Sequence, residues 1–161
     1  MKPKNTLITY ATKHDSTKKC AEKLAEKLDK ATIVNLKDEP NPDLSSYDTI
    51  IIGGPIYAGQ MQKEVNTFCK NNLLQLKQKT IGLFICCMND DQAELQLKKA
   101  FPEELYSLAI AKDSFGGEFN FEKMNFFEKI ITRMIAKQKN SISKIHEDRI
   151  LKFSNTIKKT I

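Results

Sequence analysis

The sequence predicts an α/β protein in which a parallel sheet is covered by helices on both faces. Apolar, β-rich runs alternate along the chain with stretches whose apolar residues recur at helical spacing, which is the pattern of βαβ units. Two of the runs, Thr49–Ile52 and Thr80–Cys87, are continuously apolar. Continuous runs are typical of central parallel strands, because such strands are buried on both faces.

The composition is that of a folded protein with a moderate positive charge. Of 161 residues, 40% are hydrophobic and 29% are charged, which excludes a disordered chain and fits one domain over residues 1–161. No membrane-length apolar run and no signal-peptide pattern are present, so we expect a cytoplasmic protein. The formal net charge is +6, but the lysines are spread along the predicted helices, and nucleic acid is not an expected partner.

The first half of the chain carries three predicted strands, Thr6–Tyr10, Ala31–Leu36 and Thr49–Ile52. A helix begins between the first two at about Thr17, where apolar side chains take up helical spacing. The stretch 37–46 contains two prolines and predicts a surface connection. Gly53-Gly54-Pro55 predicts a turn directly after the third strand.

The second half continues the alternation. Its predicted elements are a helix over 61–76, the strand Thr80–Cys87, a polar turn over 88–91, a helix ending before Pro102, a strand over Tyr106–Phe115 closed by Gly116-Gly117, and a last helix from about Glu147 to Thr160. Either Asp90 or Asp91 is the expected cap of the helix that follows the polar turn.

Residues 118–146 exceed what a crossover needs and predict an inserted helix before the last helix. Its apolar residues fall on one stripe opposite basic ones; the stripe contains Phe127, Ile130, Ile131, Met134 and Ile135, and the basic residues are Lys123, Lys129, Arg133 and Lys137. Two interpretations stay open. The stripe packs on the domain as core, or the basic face over 119–138 docks on a membrane surface, a quinone or a partner protein.

The turn between the first strand and the first helix is the predicted functional centre. Residues 11–17 place three hydroxyls (Thr12, Ser16 and Thr17) and the charged or polar side chains of Lys13, His14 and Asp15 where the helix begins. Free N–H groups and the helix dipole make such a place an anion site, most often for phosphate. Alternatively, the hydroxyls only cap the helix.

Three segments should meet at this point, because open parallel sheets bind their ligands beyond the carboxyl ends of the strands. These segments are residues 11–17, 53–60 and 86–90. The convergence favours a phosphate-bearing ligand. His14 is expected to face solvent near the phosphate, and His146 to lie at the surface.

The four cysteines predict neither a metal site nor a dithiol. Cys20 and Cys69 lie on the apolar faces of helices, and adjacent strand residues such as Cys86 and Cys87 point to opposite faces. The acidic residues Asp90, Asp91 and Glu94 fit a helix start better than a metal site. No triad or carboxylate pair is present, so no catalytic residue is assigned.

With these elements in order, the sequence resembles the flavodoxin-like FMN-binding family over nearly its full length. The branch that includes menaquinone-dependent protoporphyrinogen dehydrogenase is the most similar. The first turn has the family's length, with Thr12, Ser16 and Thr17 in matching places. The loop 54–59 resembles the segment covering one side of the flavin ring, and 86–88 resembles the segment bordering the other side.

The resemblance implies a three-layer, doubly wound sheet of five parallel strands in the order 2-1-3-4-5, with FMN as cofactor. The residues it implies for FMN binding are Thr12, Lys13, His14, Asp15, Ser16, Thr17, Pro55, Ile56, Tyr57, Ala58, Gly59, Cys86, Cys87 and Met88. Two departures stand out. Asp15 replaces a usual glycine, although Asp tolerates left-handed backbone and can face solvent there. No Trp is available for flavin stacking, so Tyr57 is the candidate replacement, with Met88 opposite.

Three functions remain open from the sequence. The protein carries electrons from one redox partner protein to another, or it is an enzyme that oxidises a small molecule and reduces a quinone at the membrane surface. The basic inserted helix and the positive charge favour the enzyme. The third possibility is a non-redox binding module that has lost FMN.

Overall fold

A central sheet of parallel strands organises the part of the chain that the computed structural model describes, residues 4–119 and 142–160. Its strands are β1 (Thr6–Tyr10), β2 (Ala31–Asn35), β3 (Thr49–Tyr57), β5 (Thr80–Cys86) and β6 (Ala111–Ser114), in the spatial order β2-β1-β3-β5-β6. All neighbours along this path are parallel. Counting only these strands, the order is 2-1-3-4-5, so the predicted fold class is confirmed.

One short antiparallel strand extends this sheet, and two others form a separate two-stranded sheet. Strand β4 (Gln60–Met61) folds back on the end of β3, and β7 (Gly116–Phe119) pairs with β8 (Ile142–Ile145). The predicted inserted helix falls mainly on residues 120–141, which lie outside the described residues.

Helices cover both faces of the sheet. They are α1 (Ser16–Lys27), α2 (Lys63–Asn71), α3 (Leu73–Leu76), a 3₁₀ turn (Asp90–Gln92), α4 (Ala93–Ala100), α5 (Glu103–Leu108) and α6 (Glu147–Thr160). Helices α1 and α6 share one core with Ile8 and Ile51, whereas α2, α4 and α5 share the other core with Leu7 and Ile50. Successive strand residues thus serve opposite cores, which gives three layers. None of the helices described here is long and apolar enough to span a bilayer.

Three phenylalanines fasten α6 to the sheet. The rings of Phe84 and Phe115 stack with centroids 4.8 Å apart, and Phe153 of α6 meets Phe115 edge-on at 5.3 Å. Phe153 lies over Gly82, where a Cβ atom would come within 2.9 Å of its ring. On the solvent side, the Lys23 Nζ and Glu147 Oε1 atoms lie 2.7 Å apart and join α1 to α6.

The predicted turn at Gly53-Gly54-Pro55 is wrong, because β3 continues through these residues to Tyr57. A Cβ on Gly53 would lie 2.1 Å from the Phe84 ring, and one on Gly54 would lie 2.4 Å from the Met61 sulfur. The glycines therefore make room for neighbouring side chains. The turn falls instead at Ala58 and Gly59, whose φ angles are 50° and 76°.

The predicted strand over Tyr106–Phe115 is also wrong in its first part. Helix α5 extends to Leu108, and β6 begins only at Ala111. Pro102 precedes the helix, and Glu103 and Glu104 lie in its first turn, where carboxylates favour the helix dipole. Neither Asp90 nor Asp91 caps α4, since Gln92 occupies that position without a capping side-chain bond.

Truncation of Phe153 should destabilise the protein strongly, because the side chain is 3% exposed and packs edge-on against the rings of Phe84 and Phe115. We expect Phe153→Ala to lower the free energy of unfolding by about 3–5 kcal/mol, as measured by urea denaturation. Leu151→Ala is the matched control on the same helix, because Leu151 is 48% exposed. Its effect should stay within about 0.5 kcal/mol. Equal effects of the two changes would contradict the packing described here.

Candidate functional site

The carboxyl ends of β1, β3 and β5 open into one pocket. Because Tyr10 pairs with Gly53 and Pro55 pairs with Cys86, the loops that follow these strands emerge at the same edge of the sheet. The space between them is about 450 Å³, part of it open to solvent. Its lining residues are Thr12, Lys13, His14, Ser16, Thr17, Pro55, Ile56, Tyr57, Cys86, Met88 and Gly117.

The first loop places hydroxyl groups at the N-terminus of α1. Thr12 and Thr17 are 8% and 0% exposed, and their Oγ1 atoms are buried with no hydrogen-bond partner among the described residues. These two hydroxyls therefore do not cap the helix. A buried hydroxyl without a partner costs about 1–3 kcal/mol, and these two hydroxyls are available to donate to a ligand bound at the helix N-terminus.

Asp15 takes the left-handed conformation at the start of α1, with φ 66° and ψ −2°. The residue is exposed, does not line the pocket, and makes no side-chain cap. Its carbonyl oxygen accepts a hydrogen bond from the Lys19 N–H at 3.0 Å. The conformation thus turns the chain into the helix without placing the carboxylate among the pocket-lining groups.

The second loop forms an apolar wall. Pro55, Ile56 and Tyr57 are half-buried, and the hydroxyl of Tyr57 is buried with no partner among the described residues. The Nζ atom of Lys13 lies 4.1 Å from the centroid of the Tyr57 ring, which joins the first loop to the second. Ala58 and Gly59 form the exposed tip of the hairpin and do not line the pocket.

The third loop contributes Cys86 and Met88 to the pocket. Cys86 belongs to the core under α1 and α6, and Cys87 to the core on the other face, as the alternation along a strand predicted. The Cys87 sulfur lies 3.6 Å from the Asn89 carbonyl oxygen, and burial raises the pKa of the Cys87 thiol. Cys87 therefore remains a protonated thiol at neutral pH, away from the pocket.

Gly117 is a pocket-lining residue that sequence reasoning missed. A Cβ on Gly117 would lie 3.3 Å from the Ser16 hydroxyl and 3.5 Å from the Met88 sulfur, so the backbone of β7 packs closely against both loops. The only signal was the Gly116-Gly117 pair, which local reasoning assigned to the end of a strand. Its role depends on pairing with Lys144, which is distant in sequence.

His146 is half-buried and keeps 26% of its side-chain surface exposed. Its Nε2 atom lies 3.0 Å from Asp90 Oδ1, and its backbone N–H donates a hydrogen bond to the Phe115 carbonyl oxygen at 2.9 Å. The residue therefore ties the start of α6 to the third loop. His14 is half-buried as well and lines the pocket.

The structure brings most of the predicted site residues together and leaves four outside. Those that line the pocket are Thr12, Lys13, His14, Ser16, Thr17, Pro55, Ile56, Tyr57, Cys86 and Met88. The four that do not are Asp15, Ala58, Gly59 and Cys87. Among the described residues, no group of three or more His, Cys, Asp or Glu side chains could hold a metal ion.

A doubly wound sheet of this strand order, with a hydroxyl-lined helix N-terminus at the carboxyl edge, defines the class of flavodoxin-like α/β domains. The family model described as "Flavodoxin domain" matches residues 7–144. The chain therefore belongs to the flavodoxin domain family. No curated protein matches the sequence.

Solved structures with the same fold share little sequence with this chain. A flavodoxin of Fusobacterium nucleatum bound to flavin mononucleotide is 16% identical, with 99% of each chain covered and a TM-score of 0.57. Oxidised flavodoxin 2 of Bacillus cereus is 17% identical, with 98% of this chain and 99% of that one covered and a TM-score of 0.62.

A larger protein also contains this fold. The rubredoxin oxygen:oxidoreductase of Desulfovibrio gigas is 15% identical, with 97% of this chain covered and a TM-score of 0.59. The present chain spans only 35% of that protein's length. At these identities, all three similarities support the fold alone.

Substitutions of Asp15 should show whether this position needs a residue that tolerates the left-handed backbone or needs the negative charge of a carboxylate. Alanine is strained in the left-handed conformation, so we expect Asp15→Ala to lower the free energy of unfolding by about 1 kcal/mol in urea denaturation. Asp15→Asn and Asp15→Gly should stay close to the parent, because both residues tolerate this conformation. If Asn were as damaging as Ala, the carboxylate rather than the backbone would be the important feature.

Proposed function

We propose that this domain binds FMN in the pocket at the carboxyl edge of the sheet and transfers electrons. The observation that carries the proposal is the pair of buried, unpartnered hydroxyls of Thr12 and Thr17 at the N-terminus of α1. They line the same pocket as the apolar wall of the second loop. One end therefore suits a phosphate, and the other suits a flat aromatic ring.

The phosphate end is supported by the donors that the chain supplies there. The α1 N-terminus offers backbone N–H groups and the positive end of the helix dipole. The hydroxyls of Thr12, Ser16 and Thr17 can donate to phosphate oxygens, and all three residues line the pocket. Asp15 is exposed and lies outside that lining, so its carboxylate does not block this end.

The ring end is supported by the apolar side chains of Pro55, Ile56, Tyr57 and Met88. They come from two loops on opposite sides of the pocket, and they can hold a planar ring and exclude water from it. The Fusobacterium nucleatum protein of the same fold, whose structure contains flavin mononucleotide, adds support for this cofactor.

FMN supplies the redox chemistry when it is bound, and the chain orients it and controls which molecules reach it. Such a role needs no acid–base residue, in keeping with a sequence in which none is assigned. A redox partner protein is the expected donor or acceptor of the electrons.

An oxidoreductase that passes electrons from a small molecule to a quinone is the second candidate. It is favoured by the β7–β8 pair, because Gly117 of β7 lines the pocket and residues 120–141 stand between these two strands in the sequence. The basic pattern that the sequence predicts for 119–138 suits contact with an anionic membrane surface.

Quinone reduction and vesicle binding distinguish the two candidates. If the protein is the enzyme, the dithionite-reduced, FMN-loaded protein should be reoxidised by a water-soluble quinone faster than free reduced FMN is. It should also bind vesicles of anionic lipid, and salt should weaken that binding. A carrier should show neither effect.

Removal of the Thr17 hydroxyl should weaken FMN binding selectively. We expect Thr17→Val to lower the affinity for FMN about tenfold in a fluorescence titration, because a hydrogen bond to a charged group contributes about 1.5–3 kcal/mol. Affinity for riboflavin, which lacks the phosphate, should change little.

The control is Thr49→Val. Thr49 is also 0% exposed with an unpartnered Oγ1 atom, but it starts β3 at the opposite edge of the sheet. This variant should bind FMN like the parent. A parent protein that binds no FMN would overturn the proposed function, and equal losses in both variants would remove the phosphate assignment.

A further inference from the structure

His146 connects the β7–β8 sheet to the third loop of the pocket. Its Nε2 atom lies 3.0 Å from Asp90 Oδ1, although 56 residues separate the two in the sequence. Asp90 comes two residues after Met88, which lines the pocket. His146 directly follows β8, the strand that pairs with β7. The contact therefore joins two parts of the chain that meet at one side of the pocket.

The backbone of His146 is anchored on both sides. Its N–H donates a hydrogen bond to the Phe115 carbonyl oxygen at 2.9 Å. Its carbonyl oxygen accepts hydrogen bonds from the backbone N–H groups of Arg149 and Ile150 in α6, at 3.1 and 3.2 Å. Because Phe115 and Ile150 are both 0% exposed, these bonds fasten His146 to the core. The imidazole thus extends toward Asp90 from a fixed base.

The other hydrogen bonds of the third loop are internal. In the described part of the chain, those made by residues 88–92 stay within the loop and the helical turns that follow it. The Asn89 carbonyl oxygen, for example, accepts from the Cys87 thiol at 3.6 Å and from the Gln92 N–H at 3.1 Å. Among these residues, the contact with His146 is the hydrogen bond that reaches an element distant in sequence.

The β7–β8 sheet meets the third loop at a second point, inside the pocket. There the backbone of Gly117 packs against Met88, since a Cβ on Gly117 would lie 3.5 Å from the Met88 sulfur. Gly117 pairs with Lys144 of β8, two residues before His146. Because Gly117 and Met88 both line the pocket, the distance between the sheet and the loop affects its shape.

The other charged side chains beside His146 have different partners or are exposed. Glu147 lies 2.7 Å from Lys23 of α1, and Arg149 lies 4.0 Å from Asp113 of β6. The exposed carboxylates nearest in sequence to the two members of the contact are those of Asp91 and Asp148. Within the described residues, the third loop thus supplies the carboxylate that is paired with the imidazole.

We propose that His146 is a positioning residue for flavin binding: by holding Asp90, it keeps Met88 in place at its side of the pocket. The inference rests on the proposed function, because the ligand is FMN. Histidine is the side chain that ordinarily changes charge between pH 5 and 8. Protonation makes both ring nitrogens donors and adds a Coulomb attraction to the carboxylate. The loop is therefore held more firmly, and FMN more tightly, toward the acidic end of this range.

The test is a fluorescence titration with FMN at about pH 6 and about pH 8, on either side of the ordinary histidine transition. Parent and variant are compared at the same pH, so that titration of the FMN phosphate cancels. We expect His146→Leu to lower the affinity about threefold at the lower pH and much less at the higher, because a partly exposed ion pair contributes modestly and only the protonated ring forms one.

A double-mutant cycle tests whether His146 acts through Asp90. Asp90→Asn should cause the same loss as His146→Leu at the lower pH, and the double variant should show no further loss. Both substitutions leave the backbone hydrogen bonds of His146 in place. Circular dichroism and thermal melting of each variant confirm that it is folded.

Glu147→Gln is the matched control at the neighbouring position. It removes an ion pair of the same kind, which joins α1 to α6, and neither Glu147 nor Lys23 lines the pocket. This variant should bind FMN like the parent at both pH values. A loss equal to that of His146→Leu would show that the start of α6, rather than the contact with Asp90, affects binding, and would overturn the inference.

The remaining outcomes separate this inference from the proposed function. If the parent and His146→Leu bind FMN equally at the lower pH, or if the two single losses add in the double variant, the inference is overturned while FMN binding stands. A loss of the same size at both pH values also overturns it, since such a loss comes from packing alone. If the parent takes up no FMN, the proposed function and the inference fall together.

Discussion

The in-register pairing of β1, β3 and β5 is the constraint on which the site depends. Tyr10 lies opposite Gly53, and Pro55 lies opposite Cys86, so the loops after the three strands are held at one edge. A slip of one residue in β5 would exchange the faces of Cys86 and Cys87. The polar loops would then remain, but the pocket wall formed by Cys86 would turn toward the opposite core.

Glycines and aromatic rings enforce that register. Gly53 accommodates the Phe84 ring and Gly82 accommodates the Phe153 ring, so each glycine is matched to a large side chain from a neighbouring element. A shifted strand would bring a Cβ atom against one of these rings. The site itself is less well satisfied, since Thr12, Thr17 and Tyr57 keep buried hydroxyls without partners among the described residues. Strong packing beneath the site offsets unsatisfied polar groups within it.

Sequence patterns predicted those elements whose formation depends on residues close together in the chain. Strand β1, helix α1 and helix α6 follow from their apolar patterns, and the hydroxyl-rich turn of the expected site follows from the junction of β1 and α1. The extension of β3 through Gly53 could not be predicted, because the need for glycine there comes from Phe84 in another strand. The place of Gly117 in the pocket lining could not be predicted for the same reason, since its position depends on β8, which is distant in sequence. At these two positions, contacts between elements determine the structure more than the local preferences of the residues do.

The Lys13–Tyr57 contact changes how the two residues are understood together. Sequence reasoning counted both residues in the expected FMN site, with Tyr57 as a stacking ring, but an ammonium group 4.1 Å from the ring centroid occupies one face of that ring. Only the other face and the edge of Tyr57 are then available to a flavin.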